Sequence, residues 1–350
     1  MLWVSTSIAT RGGVATFVRN MQATSLWRDW DICHISTHTD GSVPDRLRAF
    51  ISGFARFLVE ISVRRPCVVH LHTSSYGSFA RKCCLAWVAM AFRIPVVMHV
   101  HGAKFVEFFN GSPRPVRLLI RTTLEGCDAV VALGDTWAKR LGRIAPRAKV
   151  VVVPNAIKPA PRSDHATVGP VHVVFVGEVG ERKGTFALLR AWARVISDPK
   201  VPPAQLTIAG NGRVEEARRL AGHLGIDATV DTTGWLSSAD VTQLMSIADV
   251  LVLPSLNEGQ PMAVLEAMAH GLCVVASDVG GLSEMIGDSA GVLITAGDED
   301  ELVEAMSYVV GDSEARSRFG AAALERVNAE FDIDVISNRF DQLYRRLAGE

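Results

Sequence analysis

Two carboxylates, Glu258 and Glu266, stand eight positions apart in "PSLNEGQPMAVLEAMAHG", a stretch that otherwise holds mostly small and apolar residues. The preceding run "DVLVLPS" is typical of a buried strand, and Pro261 suits the first position of a helix because its missing N–H costs nothing there. Glu258 would then lie in the loop before the helix, beside free N–H groups that favour anions. This geometry indicates contact with a polyhydroxylated ligand next to its phosphates.

Glu266 falls on the second turn of the same predicted helix, which is apolar all round. A buried carboxylate needs partners if it is to stay charged. Ligand hydroxyls would satisfy it, and so would a structural bond to the backbone or to an arginine. The spacing alone leaves both interpretations open.

Three glycine-containing loops, "RGGVATF", "FVGEVGERKG" and "IAGNGR", directly follow predicted strands. Glycine lets backbone N–H groups turn toward an anion, and Lys or Arg can neutralise charge that develops on a departing phosphate. A plain strand-to-helix turn or a solvated loop explains each one equally well when it is taken alone. The candidate residues of these loops are Gly12 and Gly13, then Gly177, Arg182 and Lys183, then Gly210 and Asn211.

Two His-x-His pairs, His70 with His72 and His99 with His101, end neighbouring predicted strands. Strand side chains alternate between faces, so each pair points to one side, and four imidazoles are enough to hold a metal. No carboxylate or cysteine joins them at ligand spacing, so we predict no metal site. His101 precedes a glycine-containing loop in "HVHGAKF", where a neutral imidazole can contact a polar substrate.

The elements that carry these residues are short Val/Ile-rich runs alternating with helical patterns. That alternation predicts an α/β fold with two doubly wound parallel sheets. In such sheets ligands bind beyond the carboxyl ends of the strands, so two facing domains would build one central cleft. The predicted strands are "LWVSTS", "DICHIS", "CVVHLH", "PVVMHVHG", "DAVVAL" and "KVVVVPN", then "VHVVFVGE", "AQLTIAG", "TVDTTGW", "DVLVLPS" and "CVVASD".

The chain has 350 residues, about half of them hydrophobic, which suits two domains. The stretch "KPAPRSDHATVGP", residues 158–170, has the composition of a linker. We therefore predict an N-terminal domain over residues 1–160 and a C-terminal domain over residues 161–333.

Charge is divided unevenly, because residues 1–150 carry 20 Lys+Arg against 9 Asp+Glu and residues 151–350 carry 16 against 28. Scattered surface charge or a basic surface for phosphates and anionic lipids explains this split. Within the basic half, residues 42–66 follow a helical pattern. A core helix is the favoured interpretation, and a basic amphipathic helix on an anionic membrane is the alternative. Its apolar stripe is Leu47, Phe50, Ile51, Phe54, Phe57, Leu58 and Ile61, and its off-stripe arginines are Arg46, Arg48, Arg56, Arg64 and Arg65.

The six cysteines form no Cys-x-x-Cys pair, which predicts reduced core thiols in a cytosolic protein. The first residues lack the pattern of a signal peptide. The longest apolar run, "CCLAWVAMAF", is shorter than the roughly 20 residues that span a bilayer and predicts a buried helix. We expect a cytoplasmic location, with peripheral binding to the inner face of the membrane left open.

Taken together and in order, "GGVATF", "HVHG", "VVPNAI", "RKG", "IAGNG", "GWLSSADVTQLMSIADVLVLPS", "EGQPMAVLE" and "GLCVVASDVGGLSEMI" resemble a retaining glycosyltransferase of family 4. The resemblance runs over nearly the whole chain. It implies the GT-B architecture, in which two Rossmann-like domains hold the acceptor in the first and the nucleotide sugar mainly in the second. It also implies that the C-terminal helix, about 334–350, packs back onto the first domain.

Carried onto this sequence, the resemblance implies that Glu258 contacts hydroxyls of the donor sugar and that Glu266 holds the ribose. Lys183 would bind the diphosphate, Gly12 and Gly13 would lie near the donor phosphate or sugar, and His101 would contact the transferred sugar. Asn155 would line the cleft near the hinge. The backbone that would approach sugar and diphosphate is Gly259, Gln260, Pro261, Met262, Ala263 and Val264.

One residue departs from the family pattern, because Glu178 follows Gly177 where the family often has arginine. That puts the second cation of the diphosphate site in doubt, and Arg182 beside Lys183 is a candidate replacement.

The expected function is retaining transfer of a sugar from a UDP- or GDP-sugar to a glycan or lipid-linked acceptor in envelope polysaccharide or glycolipid synthesis. We expect no metal, no cofactor and no nucleic-acid partner. Two alternatives stay open: a catalytically weak nucleotide-sugar-binding subunit, and a GT-B-like nucleotide-sugar epimerase.

Overall fold

The computed structural model describes residues 1–159 and 169–349. They form two compact units, one of Met1–Ala156 with the C-terminal segment from Ile333, and one of Ile157–Asp332. Most of the predicted linker, and the predicted boundary between residues 160 and 161, lie outside the described residues. Each unit is an α/β structure built on a parallel sheet, which confirms the predicted fold class.

The first unit contains a six-stranded sheet in the order β2-β1-β3-β4-β5-β6. Every neighbouring pair is parallel. The strands are β1 (Leu2–Ser5), β2 (Cys33–Ser36), β3 (Val69–Thr73), β4 (Val96–Val100), β5 (Ala129–Ala132) and β6 (Val150–Val152). Its helices are α1 (Gly13–Gln22), α2 (Ser25–Asp29), α3 (Val43–Val59), α4 (Gly77–Ala91), α5 (Phe105–Gly111), α6 (Arg114–Gly126), α7 (Asp135–Ile144) and α15 (Ile333–Ala348).

The second unit contains a parallel sheet in the order β12-β11-β10-β7-β8-β9. Its strands are β7 (Val171–Val176), β8 (Ala204–Ala209), β9 (Val230–Gly234), β10 (Val250–Leu253), β11 (Cys273–Ser277) and β12 (Val292–Ile294). Its helices are α8 (Thr185–Ser197), α9 (Val214–Leu224), α10 (Ser238–Ile247), α11 (Met262–Ala269), α12 (Leu282–Ile286), α13 (Glu299–Gly311) and α14 (Ser313–Arg326). The strand predictions missed β12, a three-residue edge strand too short to show a periodic pattern.

Alternation along the strands of the first unit divides its core into two layers. Val69 and Leu71 of β3 join the layer that contains α3, α4 and α6. The alternate residues of the same strand, His70 and His72, point to the other face, where α1 and α15 pack. The two His-x-His pairs therefore point into the second layer, beneath the C-terminal helix.

The helix predicted within residues 42–66 is only partly a core helix. Phe57 and Ile61 are fully buried in the first-unit core, but Leu47 and Ile51 keep 56% and 58% of their surface exposed. The favoured interpretation was therefore wrong for the N-terminal half of α3, since its apolar stripe extends beyond the part that meets the core. The five predicted arginines of this segment are all exposed.

The cysteine prediction holds in part. All six thiols are free, and Cys83, Cys127 and Cys273 are buried. Cys67 and Cys84 are exposed, so they are not core thiols. Among the described helices, none is both long and apolar enough to cross a bilayer.

Candidate active site

Strand order in the second unit fixes where its ligand site lies. Counted from the first strand of the unit, the order is 3-2-1-4-5-6, that of the dinucleotide-binding Rossmann sheet. All strands are parallel, but successive strands are added to one side of β7 and then, from β10 onward, to its other side. Ligands of such sheets bind beyond the carboxyl ends of the strands at this switch point. The loop with Gly177 to Lys183 follows β7, and Glu258 follows β10. Lys183 and Glu258 thus follow the two strands at the switch point.

Two glycines allow these loops to pack closely. Gly184, at φ 73°, faces the carbonyl of Pro254, and Gly280, at φ 64°, faces the carbonyl of Glu258. A Cβ at either position would overlap that carbonyl oxygen, and the positive φ independently disfavours any other residue. Gly184 therefore lets the β7 loop pack on the β10 loop, and Gly280, which follows β11, lets the β11 loop pack on the same β10 loop.

A buried ion pair lies at this meeting point. The Lys183 ammonium donates to the Glu258 carboxylate at 2.5 Å, and the Ser255 hydroxyl donates to the same oxygen at 2.7 Å. The side chains of Lys183 and Glu258 are 14% and 6% exposed. Removing either partner would leave a nearly buried charge uncompensated.

This pair can exchange partners with a sugar diphosphate. Phosphate oxygens would accept from the Lys183 ammonium, while sugar hydroxyls would donate to the Glu258 carboxylate. Each buried charge then keeps a partner when the ligand replaces the other side chain. The arrangement can thus orient a sugar and stabilise negative charge on its leaving group.

Arg182 is already engaged by Glu178, the residue that departs from the family pattern. Its guanidinium donates to the Glu178 carboxylate at 2.9 Å and to the Asn257 carbonyl at 3.5 Å. The Arg182 and Glu178 side chains are 34% and 61% exposed, so solvent screens the pair. Arg182 is available to a diphosphate only after it leaves Glu178.

The other predicted donor residues of this unit lie on the loop after β8, which packs on the β7 loop, and around the start of α11. Gly210 packs against Gly177, and the N–H of Val179 donates to the Asn211 carbonyl at 2.7 Å. Gly259 accepts from the N–H of Gly281 at 3.0 Å.

The helix start differs slightly from its prediction. Pro261, with ψ 127°, is the extended residue before α11 and not its first helical residue, because the helix begins at Met262. Gln260 and Val264 are buried and Ala263 is half-buried. Glu266 lies on the second turn of α11 as predicted, but it is half-buried and not buried.

The first unit holds the remaining predicted residues. Gly12, at φ 128°, precedes α1, and no side chain among the described residues caps that helix. Gly12 and Gly13 line a cavity of about 310 Å³ at the carboxyl ends of the strands. Asn155 is buried near the end of this unit, after β6.

The four histidines form one cluster, in which His70, His72 and His99 are buried and His101 is half-buried. The Tyr344 hydroxyl bonds His70 Nδ1 at 2.5 Å, and His70 Nε2 bonds His99 Nδ1 at 3.2 Å. His72 Nδ1 bonds His101 Nε2 at 3.0 Å. Ring nitrogens of His70, His72 and His99 lie within 4.8 Å of one another, which is close enough for shared ligation, although no metal site was predicted here.

Burial sets the protonation state of this cluster. It lowers the pKa of His101 to about 3 and holds the pKa values of His70, His72 and His99 well below their usual range. A second cause for each of those three is the neighbouring imidazole of His101 or His70. His101 is therefore a neutral imidazole at physiological pH, the form the sequence predicted.

Sequence reasoning missed several residues that shape the two sites. Ser255 orients Glu258, and Gly280 allows the β11 loop to pack against Glu258. Ser255 is the second residue after β10, and that position was the available signal. Lys82, a buried lysine on α4, looked like part of an ordinary apolar helix.

Comparison with known proteins agrees with this geometry. The family described as "Glycosyl transferases group 1" matches residues 158–326, and the "Glycosyl transferase 4-like domain" matches residues 4–156. The chain belongs to this glycosyltransferase family, and it is a hexosyltransferase-type enzyme with the GT-B fold.

Two relatives illustrate the range of the family. The chain is 31% identical to a glycogen synthase of Mycobacterium tuberculosis, over 80% of this chain and 69% of the relative. It is 29% identical to the phosphatidyl-myo-inositol mannosyltransferase of Mycolicibacterium smegmatis, over 81% of this chain and 72% of the relative.

Solved structures share the fold at lower identity. Sucrose-phosphate synthase from Thermosynechococcus elongatus is 20% identical with a TM-score of 0.81, covering 99% of this chain and 98% of the other. Anabaena HepE in complex with UDP-glucose is 17% identical with a TM-score of 0.75, covering 98% of each chain.

Proposed function

We propose that this enzyme transfers a sugar, with retention of configuration, from a UDP- or GDP-sugar to a glycan or lipid-linked acceptor in envelope polysaccharide or glycolipid synthesis. The observation that carries the proposal is the buried Lys183–Glu258 pair at the switch point of the second unit. The Lys183 ammonium can bind a diphosphate, and the adjacent Glu258 carboxylate can accept hydrogen bonds from sugar hydroxyls.

In this proposal each site residue acts on a different part of the donor. Lys183 neutralises the charge that develops on the leaving diphosphate. Glu258 orients the sugar hydroxyls, Glu266 holds the ribose, and backbone N–H groups of 259–264 approach the phosphates at the start of α11. Neutral His101 contacts the transferred sugar.

Retention follows from a front-face substitution, in which the acceptor attacks from the side that the diphosphate leaves. The transition state has oxocarbenium character, so the main task of the site is to stabilise the leaving group and hold the acceptor. The departing phosphate takes the acceptor proton, and Glu258 is therefore a sugar-orienting residue and not a nucleophile.

The relatives support a nucleotide-sugar donor without choosing the base. HepE was crystallised with UDP-glucose, whereas a Corynebacterium glutamicum relative, 31% identical over 46% of this chain, is named a GDP-mannose-dependent mannosyltransferase. The names of that relative and of the phosphatidyl-myo-inositol enzyme contain phosphatidylinositol lipids as the molecules that are mannosylated. A lipid-linked acceptor fits these relatives.

We also propose that the first unit docks on an anionic membrane, where a lipid-linked acceptor would be found. Leu47 and Ile51 of α3 are exposed, as is Leu118 of α6 at 61%. Helices α3, α4 and α6 cover the same face of the sheet, and exposed arginines lie on α3 and α6. Apolar side chains among arginines suit the boundary between acyl chains and anionic head groups.

The transfer proposal is tested by incubating the purified chain with single UDP- and GDP-sugars and a membrane lipid extract. Release of the nucleoside diphosphate and NMR of the new anomeric centre are the readouts. One donor should be consumed and its α- or β-configuration kept in the product. An isomerised donor without acceptor, or an inverted product, would overturn the proposal.

A further inference from the structure

A cavity in the first unit lies at the switch point of that unit's own sheet. Strand order there reverses between β1 and β3. The cavity, about 310 Å³, is lined by residues that follow β1, β2 and β3, and by the first turns of α4. Its volume is near the lower limit of small-molecule sites, roughly 300 to 1,000 Å³. It therefore has the place and size of a site for a small ligand or head group.

Lys82 of α4 lines this cavity and is a buried cation without a counter-charge. The residue is 1% exposed, and its ammonium donates to the Thr37 hydroxyl at 2.5 Å. Lys82 forms no ion pair within the part of the chain that the structure describes. Burying a charge is costly unless an opposite charge accompanies it. The missing partner indicates that an anion completes the site.

Arg81, the preceding residue, lines the same cavity and is also uncompensated. Its Nε is buried without a hydrogen-bond partner, and over residues 1–159 and 169–349 it forms no ion pair. Burial and the neighbouring cation Arg46 lower the pKa of Arg81. Burial, with Arg81 as the second cause, lowers the pKa of Lys82 to about 7. Burial is the larger cause of both shifts, and a neighbouring cation is the second cause.

The remaining lining of the cavity favours an anion with several oxygens. Asp40 is the carboxylate in the lining, and it accepts from the backbone N–H of Arg11 at 2.9 Å. Hydroxyls and three cationic side chains make up most of the other polar groups. These groups are Thr6, Thr10, Thr73, Ser74 and Ser78 with Arg11, Arg81 and Lys82.

We propose that this cavity binds a phosphate ester of the acceptor, with Lys82 and Arg81 as its counter-charges. The inference rests on the proposed function, since it names the class of acceptor. Two adjacent cations and several hydroxyls match the charge and the number of oxygens of a phosphate better than those of a carboxylate. The phosphate ester is either a soluble sugar or polyol phosphate, or the head group of a phospholipid.

The first test measures the binding of inorganic phosphate to the full chain by calorimetry. Lys82→Met should raise the Kd for phosphate at least tenfold, because a charge-assisted hydrogen bond is lost. Arg81→Gln is the second variant and tests the same site if Lys82→Met does not fold. Lys139→Met, at an exposed lysine on α7 outside the cavity, should leave the Kd unchanged.

Binding of UDP and GDP to the same variants separates acceptor from donor. Nucleotide affinity should stay within twofold of wild type in Lys82→Met and Arg81→Gln. Parallel loss of phosphate and nucleotide binding would show that the cavity holds donor phosphates and would overturn the inference. Absence of phosphate binding in the wild type would overturn it too. Failure of every nucleotide sugar to bind, with phosphate binding intact, would instead defeat the proposed function.

Two competitors identify the source of the phosphate. Glycerol 3-phosphate represents soluble esters, and dihexanoyl phosphatidylglycerol represents phospholipid head groups. One of them should displace phosphate in the wild type and lose at least tenfold in affinity in Lys82→Met. If neither competes, an ester does not fit the cavity and the inference fails.

Discussion

The Lys183 ammonium and the Glu258 carboxylate satisfy each other in a nearly buried position, with Ser255 as an additional donor to Glu258. Such a pair can bind a ligand by exchanging partners. An anionic group of the ligand then pairs with Lys183, and its hydroxyls donate to Glu258. The paired glutamates of the sequence are thus not an acid and base couple. Glu258 pairs with a lysine, and Glu266 lies on the following helix.

We predict that Glu258→Gln lowers the rate of nucleoside diphosphate release by about 100-fold or more, the usual effect of losing an electrostatic group that acts in the transition state. The isosteric amide keeps the shape but leaves Lys183 without its counter-charge. Steady-state assays with one saturating donor measure the change, and a thermal melt shows that the variant is folded.

Ser255→Ala is the matched control, because it removes one neutral hydrogen bond from the same oxygen and keeps the charge. We expect it to cost about 1 kcal/mol, less than tenfold in rate. Equal turnover of Glu258→Gln and wild type would remove Glu258 from the donor site.

Glu178 limits the diphosphate site through Arg182. We predict that Glu178→Gln lowers the donor KM by about twofold to fivefold, because a solvent-exposed pair contributes roughly 0.2–1 kcal/mol and its loss frees the guanidinium. Donor KM and kcat are measured at fixed ionic strength. Glu304→Gln, at an exposed position on α13, controls for the change in net charge, and a higher KM in Glu178→Gln would show that Glu178 helps the site.

Because the pKa of Lys82 is lowered to about 7, the affinity of the first-unit cavity for an anion should depend on pH. At pH values below about 7 the free protein already carries the ammonium, and an added anion favours that charged form. The Kd for sulfate, a tetrahedral anion whose charge stays constant in this range, should therefore rise by up to tenfold per unit of pH above about 7, as measured by calorimetry between pH 7 and 9. A flat profile over that range in the wild type would contradict the role of Lys82.

Other titrating groups around Lys82 do not explain this direction. Burial lowers the pKa of His34 to about 4 and lowers the pKa of His38, and both stay neutral above pH 7. The titratable groups around Lys82 and its neighbour Arg81 are His34 of β2, His38 and Asp40 after β2, His72 of β3 and Arg46 of α3. The Lys82→Met variant should lose the profile.

At the scale of elements, the C-terminal helix α15 is tied into the core of the first unit. Tyr344 and Phe340 are fully buried beside the histidine cluster, and the Trp30 indole donates to Asp341 at 2.8 Å. The helix therefore completes the layer into which His70 and His72 point.

We predict that Tyr344→Phe lowers the free energy of unfolding of the first unit by about 1–3 kcal/mol, because His70 Nδ1 is left buried without its partner. Urea unfolding followed by tryptophan fluorescence measures the loss. Tyr308→Phe removes a hydroxyl that accepts only an exposed bond from Arg318 and should change stability by less than about 0.5 kcal/mol. Equal stabilities of the two variants would show that the His70 bond contributes nothing.

Helix α3 should bind anionic membranes through its exposed N-terminal half. We predict that Leu47→Glu with Ile51→Glu weakens binding to phosphatidylglycerol vesicles at least tenfold, since about 1.5–3 kcal/mol accompanies burial of each apolar side chain. Vesicle sedimentation at low salt measures binding. Ile247→Glu, at an exposed position of the second unit, should bind like the wild type, and failure of the wild type to sediment would end the membrane proposal.

Strands were predictable from the sequence because most are buried on both faces and read as Val/Ile runs between glycine-rich loops. The exposed half of α3 was not predictable, because helical spacing shows that a stripe exists and does not show how far its packing partners extend. The short strand β12 carries too few residues for a pattern.

Site residues were likewise predictable where a local motif contains them, and not where contacts distant in sequence determine their partners. Glu258 and Lys183 were identified from motifs, but their mutual pairing depends on loops that Gly184 and Gly280 hold together through contacts distant in sequence. Lys82 was missed because a lysine in an apolar helix usually reaches solvent, and only the fold shows that this one is buried without a counter-charge.

At the scale of the whole molecule, each unit presents a strand-order reversal with functional candidates at its carboxyl edge. In the second unit these are the groups suited to a sugar diphosphate, and in the first unit the cations of the cavity. The two sheets divide donor and acceptor between them in our proposal.

We predict that chelation does not reduce transfer, because Lys183 and the start of α11 supply the positive charge that a divalent ion would otherwise provide. Activity is measured after dialysis against EDTA and again with added Mg²⁺ or Mn²⁺. Loss of activity with EDTA and its recovery with one ion would show that the leaving group needs a metal.

The central claim is that the second unit binds a nucleotide sugar at Lys183 and Glu258, and a thermal-shift panel of UDP- and GDP-sugars tests it most directly. One donor at about 100 times its Kd should stabilise the wild type by about 2.7 kcal/mol, and hence raise its melting temperature. In folded Lys183→Met that increase should be lost. If no donor shifts the wild type, or if the same donor shifts Lys183→Met equally, the claim is contradicted.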